Sequence, residues 1–238
     1  MGLVLDRLGN WLGRALSRPV HVHGSAQPTP QDMLQACLRP GDVLLVEGHS
    51  RVSSAIKYLT QSTWSHAALF VGDALAGRAP AGHCFIEADI VDGVRSVGVA
   101  RFEGLLTRIC RPSGLTDTDR ERVLAFAIER IGLQYDLRNV LDLARYLLPT
   151  PPVPQRFRRR LIALGSGDPT RAICSTLIAQ AFQSVHYPIL PAISRQAAGG
   201  SQCPACMDEI LHVRNYSLFT PRDFDVSPYF EIVKPSLE

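Results

Sequence analysis

One cysteine stands at a position where a thiol can act as a nucleophile. Cys174 lies near the start of "RAICSTLIAQAF", a stretch with the spacing of an amphipathic helix. One face of that helix carries Cys174, Leu177, Ile178, Ala181 and Val185. In the first or second turn of a helix, unpaired N–H groups and the helix dipole stabilise a thiolate. Free cysteine is also among the most buried residue types, so this helix alone favours core packing over catalysis.

Two strand residues supply the partners that a nucleophilic thiol needs. His66 lies mid-strand in "SHAALFV", where a histidine is costly unless its ring nitrogens find partners. Glu87 lies on the next predicted strand, in "FIEAD"; taken alone, it is typical of an exposed strand carboxylate. If the two strands pair, Glu87 can hold one nitrogen of His66 while the other faces a thiol. That arrangement of nucleophile, base and orienting group is that of a thiol hydrolase.

The elements that must position these residues follow an order typical of an α+β fold. Strands are predicted at "DVLLV", "WSHAALFVGD", both arms of "HCFIEADIVDGVRSVGVA" around a turn at Asp92-Gly93, "TRICRP" and "PYFEIVKP". Helices are predicted from Pro30 through Cys37 with Thr29 as N-cap, and at "SRVSSAIKYLTQ", "TDTDRERVLAFAIERIG" and "YDLRNVLDLARYLL". The stretch "HYPILPAISRQAAGGSQCPACMDEILHVRN", residues 186–215, is predicted to be largely irregular. Strands, then helices, then one late strand indicate α+β rather than alternating units.

Three regions follow from the composition along the chain. Residues 1–18 have helical apolar spacing, residues 19–30 are a linker rich in proline and glycine, and residues 31–238 form the main domain. Docking on protein is the favoured role of the first helix. Trp11 and the arginines Arg7, Arg14 and Arg18 are also typical of a helix that contacts a membrane surface.

Composition excludes several classes of protein. The chain has 238 residues, 46% of them hydrophobic and 20% charged, which excludes a disordered chain. A net charge of +3 gives no support for nucleic-acid binding. No run approaches the ~20 apolar residues of a spanning helix, and no secretory signal is visible. With six scattered cysteines, we expect free thiols and a cytoplasmic location.

Two further clusters have both a structural and a functional interpretation. Four arginines in "QRFRRRLIAL" are typical of a solvated helix face, with contact to anionic lipid as the alternative. Cys203 and Cys206, with His212 nearby, form a single CxxC pair, whereas a structural zinc site requires four ligands. We therefore expect no bound metal and no cofactor.

An ordered set of motifs resembles a known family. The pieces "RPGDVLLVEG", "STWSHAALFVGD", "FIEAD", "LQYDL", "CSTLIAQAF" and "LFTPRDFDVSPYFEIV" occur in the order of the circularly permuted papain-like amidases of the YaeF/YiiX type. That family is related to the NlpC-type cell-wall peptidases and to lecithin-retinol acyltransferase. His66 precedes Cys174, as a permuted chain requires. The resemblance implies a permuted papain-like fold, with an antiparallel sheet or partial barrel packed against helices.

The resemblance also implies an activity and its residues. Cys174 is expected as the nucleophile, His66 as the general base and Glu87 as the third polar residue, cleaving an amide, ester or thioester. Tyr135 is placed at the edge of the site, although a buried aromatic residue is an equally good interpretation. The alternatives are an acyltransferase with the same cysteine and histidine, or a binding module without turnover.

Substrate binding is the remaining expectation. Ser65 and Ser175, next to the base and the nucleophile, are expected to join Tyr135 in contacting a small acylated, peptide-like or lipid substrate. Residues 1–18 are a candidate for peripheral membrane contact.

Overall fold

The computed structural model describes residues 27–89, 92–134, 173–197 and 207–235. The predicted helix at residues 1–18, Tyr135, the arginine-rich stretch and the CxxC pair lie outside these residues. The described residues form α1 (Gln31–Cys37), α2 (Arg51–Thr60), α3 (Asp117–Ile128), α4 (Ile173–Gln183) and α5 (Pro221–Asp225). Their strands are β1 (Val43–Val46), β2 (His66–Phe70), β3 (His83–Asp89), β4 (Gly93–Gly98), β5 (Thr107–Pro112), β6 (Ala192–Ala197), β7 (Met207–His212) and β8 (Phe230–Val233).

Six strands form one antiparallel sheet in the order β4-β3-β2-β1-β5-β8. All four residues of β1 are buried, as expected for a strand covered on both faces. Val46 pairs with His66, and Ala68 pairs with Glu87, so β2 lies between its two neighbours near the middle of the sheet. The register therefore brings the predicted base and the predicted carboxylate onto adjacent strands.

Apolar layers cover both faces of this sheet. Leu177 and Ile178 of α4 pack in a cluster with Ala67, Leu69 and Ile86 of the sheet. A second cluster joins Leu34 of α1 to Leu44, Ala68, Phe85 and Phe102. The predicted α+β class, an antiparallel sheet packed against helices, is confirmed.

The N-terminal caps of three helices can be compared with the sequence. Thr116 caps α3 by accepting a hydrogen bond from the Asp119 N–H at 3.1 Å, and Ser50 caps α2 through the Ser53 N–H at 3.0 Å. The predicted cap of α1 is wrong, because Pro30 occupies the cap position with no side-chain cap hydrogen bond and the helix begins at Gln31. Among the described residues, no helix combines the length and apolar character needed to cross a membrane.

The C-terminal part contains more structure than the sequence predicts. The segment predicted to be irregular contains β6 and β7, which pair with each other as a two-stranded antiparallel sheet. Ile193 of β6 and Leu211 of β7 are paired across the two strands, and they are 58% and 53% exposed. The described side chains therefore form no buried face that would show in the sequence as alternating apolar and polar residues. The short helix α5 was also not predicted; its five residues are too few to show a helical period.

Candidate active site

The predicted base and carboxylate contact each other across two paired strands. His66 Nε2 lies 2.8 Å from Glu87 Oε2. His66 is the first residue of β2 rather than a mid-strand residue, and 23% of its side chain is exposed, whereas the Glu87 side chain is fully buried. A fully buried carboxylate requires partners, which excludes the interpretation of Glu87 as an exposed strand residue.

The second oxygen of Glu87 is held by two arginines that the motif analysis missed. Arg95 Nε and Nη2 lie 2.9 Å and 2.7 Å from Glu87 Oε1, and Arg101 Nε lies 3.4 Å from the same oxygen. Glu87 and Arg95 are directly opposite each other in the pairing of β3 with β4. The predicted turn at Asp92-Gly93 could have indicated this pair, because the position of a turn sets which residues of the two strands face each other.

The predicted nucleophile approaches His66 from helix α4. Cys174 is the second residue of that helix and is 4% exposed. Cys174 lies near enough to His66 for its side chain to raise the pKa of the imidazole. Because Nε2 is paired with Glu87, the nitrogen that remains for the sulfur is Nδ1.

The electrostatics of the site favour a charged imidazole. Burial alone lowers the pKa of His66, but attraction and hydrogen bonding to Cys174 and Glu87 raise it to about 10. Burial alone raises the pKa of Glu87. The hydrogen bond and charge of His66, with Arg95 and Arg101, nevertheless lower it to about 2. The carboxylate is therefore ionised across the physiological pH range, where it supports an imidazolium.

The two serines lie beside the site, but their hydroxyls have contacts within the fold. Ser65 Oγ accepts a hydrogen bond from the Gly48 N–H at 2.9 Å. Ser175 is fully buried, and its hydroxyl donates to the Phe219 carbonyl at 2.7 Å. These contacts tie both hydroxyls to the fold, and the expected contact of Ser65 and Ser175 with substrate stays a prediction.

Other predicted ligands are only partly described. Tyr135, Cys203 and Cys206 lie outside the described residues. His212 pairs with Ser194, with its Nε2 at 2.8 Å from the hydroxyl. Within the part of the chain that the structure describes, no group of three or more His, Cys, Asp or Glu side chains is arranged to hold a metal ion.

Comparison with known proteins gives a family match. Residues 37–146 match the profile of the family described as permuted papain-like amidase enzyme, YaeF/YiiX, C92 family. The matched range contains His66, Glu87, Arg95 and Tyr135, whereas Cys174 follows it. No curated protein matches the chain.

A solved structure is also similar to this chain. It is the metalloprotein yiiX from Escherichia coli O157:H7, which is 15% identical with a TM-score of 0.48, over 84% of this chain and 98% of that one. Residues 37–146 are thus similar to the permuted papain-like amidases of the YaeF/YiiX type, the family that the motifs of the sequence resemble.

Proposed function

We propose that this protein cleaves an amide bond through an acyl-enzyme formed on Cys174. The observation that carries the proposal is the placement of His66, which lies 2.8 Å from Glu87 Oε2 and has its pKa raised by the nearby Cys174 side chain. A thiol, an imidazole and a carboxylate in series have the geometry of nucleophile, base and orienting group.

The mechanism needs only these groups, the substrate and water. His66 Nδ1 takes the thiol proton, and the sulfur attacks the acyl carbonyl to form a tetrahedral intermediate. The His66 imidazolium then gives that proton to the leaving amine, and a thioester remains on Cys174. Water attacks the thioester, His66 accepts a proton from the water, and the carboxylic acid leaves as the thiol is restored. Backbone N–H groups at the start of α4 would hold the oxyanion.

The proposed substrate is a small acylated molecule of peptide-like or lipid character. Tyr135 is proposed to contact it at the edge of the site. The same thioester transfers its acyl group instead when an amine or alcohol replaces water. The amphipathic pattern of residues 1–18 supports peripheral contact with a membrane, which would bring the enzyme to a lipid substrate.

The first experiment measures the reactivity of each thiol. Iodoacetamide alkylation, followed by mass spectrometry of individual peptides, compares Cys174 with Cys37, a partly exposed thiol in the same chain. A thiolate maintained by an imidazolium reacts faster than an ordinary thiol, so we expect Cys174 to react at least about tenfold faster at neutral pH. His66→Ala should slow Cys174 by about 100-fold, within the range of general-base effects. His83→Ala, a second strand histidine that bonds to Ser96, is the matched control and should leave the rate unchanged.

A second measurement separates an enzyme from a binding module. Intact mass spectrometry with 4-nitrophenyl acetate should show an acetyl adduct that forms and decays in the wild type and is absent in Cys174→Ala. Equal alkylation of Cys174 and Cys37 with no effect of His66→Ala, and no adduct, would contradict the proposal and favour a module without turnover. An adduct that decays only when an amine is added would assign acyl transfer instead of hydrolysis.

A further inference from the structure

We infer that Arg95 is a positioning residue of this active site, which fixes the carboxylate of Glu87 so that one oxygen is always presented to His66. The inference rests on the proposed function, because it assigns a role in orienting the proposed base. Arg95 acts through Glu87 and is not itself placed at the reacting atoms.

The two oxygens of Glu87 are divided between its partners. Oε1 accepts from Arg95 Nε at 2.9 Å and from Nη2 at 2.7 Å, while Oε2 lies 2.8 Å from His66 Nε2. A guanidinium that donates two hydrogen bonds is a rigid, planar partner, and it opposes rotation of the carboxylate about its last torsion. The imidazole is consequently held in one orientation, with Nδ1 directed away from Glu87.

Arg95 is itself held in place by the hairpin that carries it. Its Nη2 lies 3.4 Å from Asp89 Oδ2, its Nη1 bonds to Asp92, and the Asp92 N–H donates to Asp89 Oδ1 at 3.1 Å. Arg101 differs, since it makes one contact of 3.4 Å to Glu87 and is 48% exposed, compared with 30% for Arg95. Arg95 is thus firmly held against Glu87 Oε1, whereas Arg101 is loosely placed against the same oxygen.

Removing Arg95 changes the protonation of the whole series. The charged groups that face Glu87 are His66 from β2, Arg95 from β4 and Arg101 from the short 3-10 helix Val99–Phe102, with Asp89 and Asp92 reached through Arg95. Without Arg95, a fully buried carboxylate loses two donors and binds a proton more readily. A protonated Glu87 is no longer a charged acceptor that orients His66, so in the variant the alkylation rate of Cys174 should fall as the pH falls through the raised pKa of Glu87.

The test is the pH dependence of iodoacetamide alkylation at Cys174, from about pH 4 to pH 9, resolved by peptide. Arg95→Gln should move the acid limb upward by about one pH unit or more and lower the plateau rate several-fold. Arg95→Lys keeps the charge but loses the two-nitrogen contact. In this variant the pH at which alkylation falls in acid should return most of the way to the wild-type value, while the plateau rate stays reduced about threefold or more. Arg101→Gln should give a smaller shift, and Arg122→Gln, a 64% exposed arginine of α3, should give none.

The outcomes distinguish this inference from the proposed function. If wild-type Cys174 reacts no faster than Cys37, the proposed function fails. If wild-type Cys174 is fast and dependent on His66, but both Arg95 variants overlay the wild-type profile, only the role of Arg95 is overturned. Circular dichroism verifies that each variant folds. If Arg95→Gln does not fold, the variants Arg95→Lys and Asp92→Asn replace it. If both of these variants show the wild-type pH profile of Cys174 alkylation, the inference is overturned.

Discussion

Glu87 is a fully buried carboxylate with cationic partners on both oxygens. A buried charge is tolerated only when such partners replace the lost hydration. The negative charge of Glu87 also favours the protonated form of His66, as does the nearby Cys174 side chain. The site therefore contains an imidazole whose proton is retained far above its ordinary range.

The raised pKa of His66 predicts activity that extends into alkaline solution. A pKa of about 10 means that the imidazolium persists up to that pH and is lost as the pH rises through it. Glu87→Gln removes the negative partner and should lower the pKa of His66 by about one unit or more, since one unit is about 1.4 kcal/mol of lost interaction. The alkaline limb of kcat/KM then moves to lower pH.

Titration of the His66 imidazole by nitrogen-15 NMR measures this pKa directly. Glu103→Gln, which changes an exposed glutamate of the same region, is the matched control and should leave the titration unchanged. A wild-type His66 that titrates at or below pH 6.5, the ordinary histidine value, would contradict the prediction.

The loop between β1 and α2 holds Ser65, the residue that precedes β2. The Gly48 N–H donates to Ser65 Oγ, and the Ser65 N–H donates to the Val46 carbonyl at 3.1 Å. A Cβ atom at Gly48 would lie 2.3 Å from Ser53 Oγ and 3.0 Å from Ser65 Oγ. Glycine is thus required here by close packing rather than by a positive φ.

Gly48→Ala should destabilise the protein by about 1–3 kcal/mol, as is typical of an atom forced into a packed site. The added methyl group meets the hydroxyl of Ser53, which bonds to the Ser50 hydroxyl at 2.9 Å at the start of α2. Urea unfolding of Gly48→Ala, Ser53→Ala and the double variant measures the coupling. The double variant should recover part of the loss; strictly additive effects would show that Ser53 is not the obstacle.

Local patterns account for most elements, and tertiary pairing accounts for what they miss. Alternation in "SHAALFV" and "FIEAD" was enough to predict the contact of His66 with Glu87. Arg95 was missed because it belongs to no motif, and the register that places it opposite Glu87 was not worked out from the predicted turn. The helical face that Cys174 shares with Leu177 and Ile178 indicated a thiol directed toward the sheet, but its approach to His66 depends on the tertiary packing of α4. The β6–β7 pairing also depends on tertiary contacts, because the side chains described in both strands are exposed.

An aromatic cluster connects the helix of the nucleophile to the last strand of the sheet. Phe230 of β8 lies 5.3 Å from Phe182 of α4, 5.4 Å from Phe224 of α5 and 5.7 Å from Tyr187, measured between ring centroids. All three pairs have edge-to-face geometry, which is favourable for aromatic rings. Phe230 therefore joins β8 to α4, to α5 and to the segment that follows α4.

Phe230→Ala should lower the free energy of unfolding by about 3–5 kcal/mol, the usual cost of removing a buried phenylalanine. Phe230 is 5% exposed, so the truncation leaves a cavity against Phe182. Urea unfolding measures the loss, and Cys174 alkylation in native conditions should slow as α4 loosens. Phe102→Ala, in the cluster on the other face of the sheet, is the control that should destabilise without slowing Cys174. Equal alkylation rates in both variants would contradict the connection.

The order of the site residues along the chain has a consequence for synthesis on the ribosome. His66, Glu87 and Arg95 lie on three successive strands, whereas Cys174 emerges after the polypeptide has been extended well beyond that hairpin. A nascent chain therefore contains His66, Glu87 and Arg95 before it contains Cys174, and the proposed site is complete only after translation has delivered α4.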